Sequence, residues 1–425
     1  MKKFLPFLCF LFCVISHAQS FNTNFKNQSL RFDFLLSGNV HQTTVDLTAV
    51  QKVKKWNGRR VNLTTNALQG DAEINVYDAQ SNKLIYTQSF STLYQEWLTQ
   101  TQAQTEVFTT EQVLYIPSPK HDFVVQVNFF ENNVPVQVFK QSFTTKQIKK
   151  IKPLTTTYPI EVKQINKAKG TKSPINFTIV AEGFTADEKD VFFAAANRAV
   201  QALFAYPSFK KYKNQFAIQA VFVASQDAGV TIPSKNIFKN TIAQTTFDTF
   251  NSERYLTTNK VFKMHDVLVN RPTDHLLIIA NSNQYGGAGI YNAYTLVTLF
   301  DKTFDAVVVH ELGHSFAGLG DEYFYANDIF SDNAHKNEVE PWVKNNTTLV
   351  DFESKWQAKL DASTPVPTPY TAENKNKVGV YVGIEGGKVY IPHQDCRMHT
   401  NTATDFCSVC IDAIEELILH YTQQN

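Results

Sequence analysis

The chain has almost no charge excess: 40 basic against 39 acidic residues leave a net +1 over 425 residues. That balance excludes a general attraction to nucleic acid or to anionic lipid. Past the first 20 residues no apolar run is long enough to cross a bilayer, so no transmembrane segment is expected. There are no internal repeats and no low-complexity tract. Methionine occurs only three times and cysteine only five times. Phenylalanine, by contrast, occurs 34 times, and hydrophobic residues make up 43 % of the chain. Such a chain fills two domains and builds aromatic-rich cores.

The first residues read as a leader. Lys2 and Lys3 precede the apolar stretch from Phe4 to Ile15, and Ser16-His17-Ala18 then Gln19 offers a small-x-small cleavage site. The stretch is too short for an anchor. We expect a signal peptide over 1–18, cleaved after Ala18, and a secreted or periplasmic product. Cys13 lacks the preceding small residues of a lipoprotein signal. Cys9 and Cys13 leave with the leader, so Cys396, Cys407 and Cys410 remain. One disulfide and one free thiol is the simplest count, with the pairing open.

Residues 19–148 read as strands forming an accessory β-sandwich. Leu30, Phe32, Phe34 and Leu36 alternate, as do Phe123, Val125, Val127 and Phe129. Ile74 and Val76, a turn from Asp78 to Asn82, and Leu84 to Tyr86 form a hairpin pattern. Pro135 marks the Val134–Phe139 run as an edge strand. Residues 149–172, with Lys149, Lys150, Lys152, Pro153 and Gly170, read as a linker. Residues 173–425 are mixed. Strands are expected at Ile175–Val180, Phe216–Val223 and Leu276–Ala280, the last buried and central. A helix follows Thr185, whose Glu188 sits at the capping-box position. Further helices are expected at Phe304–Phe316 and Val409–Tyr421. The expected class is α+β and multidomain, a β-sandwich followed by an α/β catalytic domain.

The chemistry centres on His310-Glu311-Leu312-Gly313-His314. Two histidines four apart on a helix point the same way, about one turn from each other. Two neutral imidazole nitrogens suit zinc. Glu311, beside the first ligand, can take the proton of a water that zinc acidifies, so that hydroxide attacks a carbonyl. A chance match on a solvated helix is the bland alternative. Ala306 to Val309 argues against it, because apolar neighbours imply a buried helix on which unpaired polar groups are costly.

One catalytic zinc needs a third protein ligand and an open position. Gly318 and Gly320 can turn the chain back and bring Asp321 or Glu322 to the metal. We expect Asp321, with Glu322 as its alternative and Glu338 or Glu340 as more distant ones. The glycines near Tyr285, Gly286 and Gly287 suit either an ordinary turn or a strand that pairs with an extended substrate. In the pairing case Gly287→Val raises the Michaelis constant.

The run from His310 to Tyr323 resembles the signature of the IgA-peptidase-like family of secreted bacterial metallopeptidases, His-Glu-x-Gly-His-Ser-x-x-Gly-Leu-x-Asp-Glu-Tyr. Ala181-Glu182-Gly183-Phe184-Thr185, Ser225 to Pro233 and Asn281 to Ile290 are similar to that family too. The strand-rich first part resembles the accessory domain of Bacteroides-type members. Together these segments cover most of the mature chain. Compared with the broader metzincin pattern, Gly318 and Asp321 each lie one residue late. The metzincin resemblance implies a Met-turn beneath the zinc, for which Met398 in Cys396-Arg397-Met398-His399 qualifies; on the residues alone, a core methionine serves as well. Thr400 stands where some metzincins carry a tyrosine switch. His399 reads as structural, and Tyr323 as a candidate oxyanion donor.

These features predict a zinc endopeptidase acting on protein or peptide substrates. The competing reading is a non-catalytic surface binding protein whose metal is structural, which requires a fourth protein ligand closing the site. Cys407 and Cys410 in C-x-x-C spacing offer a second metal or redox pair, with no matching pair elsewhere.

Overall fold

The computed structural model describes residues 21–155, 157–171, 173–323, 339–383 and 389–423. The expected leader and Glu338 lie outside the described residues. The first part is strand-rich and antiparallel throughout. Strand β1 (Phe25–Asn39) is flanked by β2 (Gln42–Val53) and β5 (Phe108–Pro119). A second sheet holds, in spatial order, β4 (Leu84–Phe90), β3 (Ala72–Asp78), β6 (Phe123–Glu131) and β7 (Val134–Phe143). Helix α1 (Leu93–Leu98) follows β4, with the Thr92 hydroxyl accepting from Gln95 N–H as its N-cap. The period-two apolar residues of β1 are all buried, and they bind the two sheets together. Phe32 meets Phe143 edge-on at 5.4 Å, and Phe34 meets Phe139 at 5.1 Å. Pro135 does lie on an edge strand, β7.

The later part is built on a six-stranded sheet. Its order is β12 (Gly287–Ile290), β13 (Tyr294–Thr298), β11 (His275–Ala280), β9 (Ile175–Glu182), β10 (Phe216–Phe222) and β8 (Glu161–Asn166). The four inner strands run parallel, and β12 and β8 are antiparallel edges. The stretch expected to be a plain linker thus supplies an edge strand of its own, β8. Glu188 completes the capping box at Thr185, through its carboxylate accepting from Thr185 N–H at 2.9 Å. A single 3₁₀ turn there precedes α2 (Lys189–Ala205).

Strands β9 and β11 are buried along their whole length because both faces of the sheet are covered. On one face Phe177, Ile179, Leu277 and Ile279 pack against α2, α3 (Phe304–Ala317) and α4 (Ser408–Thr422). On the other, Val180, Leu276, Ile278 and Leu296 join the same hydrophobic cluster as Phe32, Phe34 and Tyr94. The strand-rich first part therefore shares a core with the six-stranded sheet. The second face of β1 is tied across as well. Arg31, fully buried, is bonded to Asp33 and, at 2.6 Å, to Asp266, and donates to the Phe262 carbonyl at 3.1 Å. No helix among the described residues is long and apolar enough to cross a membrane.

Candidate metal centre and cleft

Helix α3 carries the paired histidines. Val307, Val308 and Val309 bury its first half against the sheet, and the Ser315 and Thr295 hydroxyls join it to β13. The helix ends where the sequence places glycine. Gly318 has φ +58°, its N–H donates to the His314 carbonyl at 2.9 Å, and Leu319 N–H donates to Gly313 O at 3.0 Å. A side chain at Gly318 would also strike Trp342, at 2.8 Å. Beyond this cap the chain reverses under two asparagines. Gly320 N–H donates to Asn345 Oδ1 and Asn345 Nδ2 to the Gly320 carbonyl, both at 2.8 Å. Asn346 Nδ2 donates to the Asp321 carbonyl at 3.0 Å.

The reversal brings Asp321 back over the helix. His310 Nε2 and His314 Nε2 stand 3.1 Å apart, and Asp321 Oδ1 lies 3.1 Å from the first and 3.3 Å from the second. The far nitrogen of each ring is held by a backbone carbonyl: His310 Nδ1 by Arg397 at 3.0 Å, His314 Nδ1 by Leu319 at 2.6 Å. With each Nδ1–H donating outward, each Nε2 presents a lone pair inward. Asp321 Oδ1 has no hydrogen-bond partner. Three electron-rich atoms therefore face one another, an arrangement that needs a cation at its centre. Zinc bonds of about 2.0–2.1 Å set tetrahedral ligand atoms about 3.3 Å apart, so the triangle fits such an ion. Without a metal, burial depresses His314, but the Asp321 carboxylate outweighs it and lifts the imidazole to about 9, while the histidines hold Asp321 well below the usual carboxylate range despite its burial.

Met398 lies directly under the helix: a Cβ on Gly313 would fall 2.5 Å from its Sδ. It sits in a turn closed by His399 N–H and Thr400 N–H on the Cys396 carbonyl, and its own carbonyl accepts from Glu322 N–H at 2.9 Å.

A sequence profile described as IgA Peptidase M64 matches residues 163–379. This chain belongs to that family. The profile of the Peptidase M64 N-terminus matches residues 20–142. The protein is thus a metallopeptidase, a class that takes a metal cofactor and protein substrates. None of the curated proteins matches the chain. Among solved structures, metalloproteinase-II from Bacteroides fragilis is similar at 10 % identity and a TM-score of 0.23, over 57 % of this chain and 83 % of that one. A superposition that loose bears on neither fold nor activity.

The triangle of His310, His314 and Asp321 opens on a cleft of about 420 Å³. Glu311 lines it, half-buried, and the loss of water raises its carboxyl against the lowering pull of His310 and His314. Edge strand β12 presses on the helix from one side: a Cβ on Gly287 would stand 2.7 Å from Glu311 Oε1. Of the expected substrate segment, only Gly287 is within β12. Tyr285 and Gly286 precede it, and the outer side of Gly287 already forms a bridge with Tyr255. Tyr323 stacks near His310 with ring centroids 6.1 Å apart. The Asp321 charge, with burial second, pushes the Tyr323 hydroxyl far above the usual phenol range.

The first part of the chain also reaches this cleft, through Asp71 and Glu96. Glu96 on α1 accepts a hydrogen bond from the Tyr255 hydroxyl, and burial pushes its carboxyl up to about 8. Asp71 accepts from Trp342 Nε1 at 2.7 Å. Sequence reasoning named none of Asn345, Asn346, Asp71, Glu96 or Tyr255, and no local pattern marks them.

The remaining candidates lie elsewhere. Glu322 points away from the histidines and into the three cysteines. Glu340 is buried with Lys355 at 3.8 Å and accepts from Asp351 N–H at 3.2 Å, so it braces a loop and takes no part at the histidines. His399 is held by the Gln394 carbonyl at 3.1 Å. Of the three cysteines offered for a disulfide, Cys396, Cys407 and Cys410, all are free and buried here, and the Cys396 and Cys410 sulfurs are 3.8 Å apart against about 2.05 Å for a bond.

Proposed function

We propose that this chain is a secreted zinc endopeptidase, with His310, His314 and Asp321 as the metal ligands and Glu311 as the general base. The reading rests on one observation: three lone-pair atoms converge at zinc spacing beneath an open cleft, with a carboxylate beside them. When bound there, zinc supplies a Lewis acid that polarises a carbonyl and acidifies water. Glu311 takes the proton of the attacking water and passes it to the departing amine; its raised pKa suits both halves of that task. Tyr323, kept protonated, donates to the developing oxyanion. Met398 is the apolar floor that fixes the helix from below, as in a metzincin-like Met-turn. Tyr285, Gly286 and Gly287 border the path of an extended peptide. Secretion rests on the leader at 1–18.

A structural metal in a non-catalytic binding protein would have a fourth protein ligand. The described residues group only three around this point. The test is Glu311→Gln. Peptide hydrolysis should fall by about 10²–10⁴-fold while one zinc per chain stays bound at the histidines. Full activity in that variant would refute the assignment of the base.

A further inference from the structure

Behind the turn that carries Asp321 lies a second group of metal-ligating side chains. Glu322, Cys396, Cys407 and Cys410 each offer one atom, and all of these atoms lie within 4.8 Å of one another. All four residues are buried. They come from three separate places: the loop after α3, the Met398 turn, and the start of α4, which Cys407 caps. We propose that this group is a second, structural zinc site, distinct from the one at the histidines.

Three observations support it. The Cys396 and Cys410 sulfurs are 3.8 Å apart. Zinc–thiolate bonds of about 2.3 Å in a tetrahedron place sulfurs about 3.8 Å apart, whereas a disulfide requires about 2.05 Å. The second observation is Glu322. Its Oε1 accepts from the Cys410 thiol at 3.2 Å and from Asn345 Nδ2 at 2.9 Å, while its Oε2 is buried with no partner. No Lys, Arg or His forms an ion pair with it among the described residues. A carboxyl at 0 % exposure ionises only beside a cation, so a metal ion would be what turns this group into a ligand and gives its unpartnered oxygen a partner, whereas pairing two cysteines as a disulfide would leave that oxygen without one. Third, Cys407 N–H donates to Cys396 Sγ at 3.3 Å, the contact a thiolate ligand makes with backbone.

Binding displaces the thiol protons to solvent, so the ion meets three thiolates and a carboxylate. The residual negative charge is offset by Asn345 Nδ2, by Cys407 N–H and by the positive end of α4. Soft sulfur ligands select zinc over magnesium or calcium. Four protein ligands close the sphere, which marks the ion as structural. Its place explains its use. Glu322 is the residue after Asp321, and Cys396 is two before Met398. One ion would thereby fasten the third-ligand turn and the floor of the cleft to the C-terminal helix.

The experiment is metal analysis of the full secreted chain and of a variant carrying both His310→Ala and His314→Ala, each then reloaded with cobalt(II). Wild type should hold two zinc ions per chain and the histidine variant one. The cobalt form of that variant should keep a thiolate-to-cobalt charge-transfer band, which imidazole and carboxylate ligands do not produce. Cys407→Ser with Cys410→Ser should lose the band and one zinc; should it fail to fold, the histidine variant decides alone. A histidine variant without metal or band overturns the site, and so does an intact mass lacking two hydrogens through a disulfide. One zinc with the band in both proteins would support this site while removing the one at the histidines.

Discussion

Gly287 and Glu311 are packed so closely that a Cβ on the glycine would stand 2.7 Å from one carboxylate oxygen and 3.0 Å from the carbon that bears it. The glycine is what lets the edge strand lie against Glu311. Gly287→Val should therefore act on the chemical step. We expect kcat to fall at least about tenfold, worth about 1.4 kcal/mol of barrier, with a smaller change in KM. A rise in KM alone at unchanged kcat would return this glycine to the substrate-pairing role that its sequence context suggested.

Arg31 joins the two parts of the chain with a guanidinium that is fully buried, bonded to Asp33 within its own strand and to Asp266 across the interface. Removing one member of a buried ion pair strands the other, at about 3–5 kcal/mol. Arg31→Met should lower stability by that order in urea unfolding and expose the connecting segment to limited proteolysis. The contact of Lys260 with Glu111 at 3.8 Å is far more exposed, and Lys260→Ala should cost no more than about 1 kcal/mol. Equal effects of the two substitutions would contradict the clamp.

Acid should destabilise the peptidase early. Burial lowers His265 and His275 to about 3 and His420 to about 4, with Arg31 adding to the first and Arg59 to the last. The unfolded chain takes up these protons near pH 6.5, and the folded chain refuses them until pH 3–4. The stability is thus intact above pH 6.5 and is lost as pH falls towards those values, at about 1.4 kcal/mol per unit for each group. His275 sits against Phe177, Phe316 and Tyr421, and its Nε2 has no partner. His275→Phe should reduce the loss between pH 6.5 and 5 by about 2 kcal/mol in urea titrations. An unchanged acid slope would count against a neutral His275.

The helix of paired histidines was legible because its pattern is local: His310, Glu311 and His314 fall within two turns, and Gly318 announces where the chain reverses. The core residues of β1, β3, β6, β9 and β11 were legible from their spacing. The outward face of β1 was not. A period of two separates Phe32 from Arg31 and Asp33, but it does not say whether the polar face meets water or the other half of the chain. Counting cysteines missed the fourth member of their cluster, since Glu322 is brought to Cys396 by folding and by nothing in their spacing. Glu96 was missed for the same reason, since only the shared core carries α1 to the cleft.

The carbonyl that orients His310 belongs to Arg397, and the floor beneath the helix is Met398. Synthesis runs from the N-terminus, so both histidines and Glu311 emerge before the residues that hold them in place, and a chain cut between Gly320 and Arg397 would carry the two imidazoles without the carbonyl that orients the first or the side chain that supports their helix.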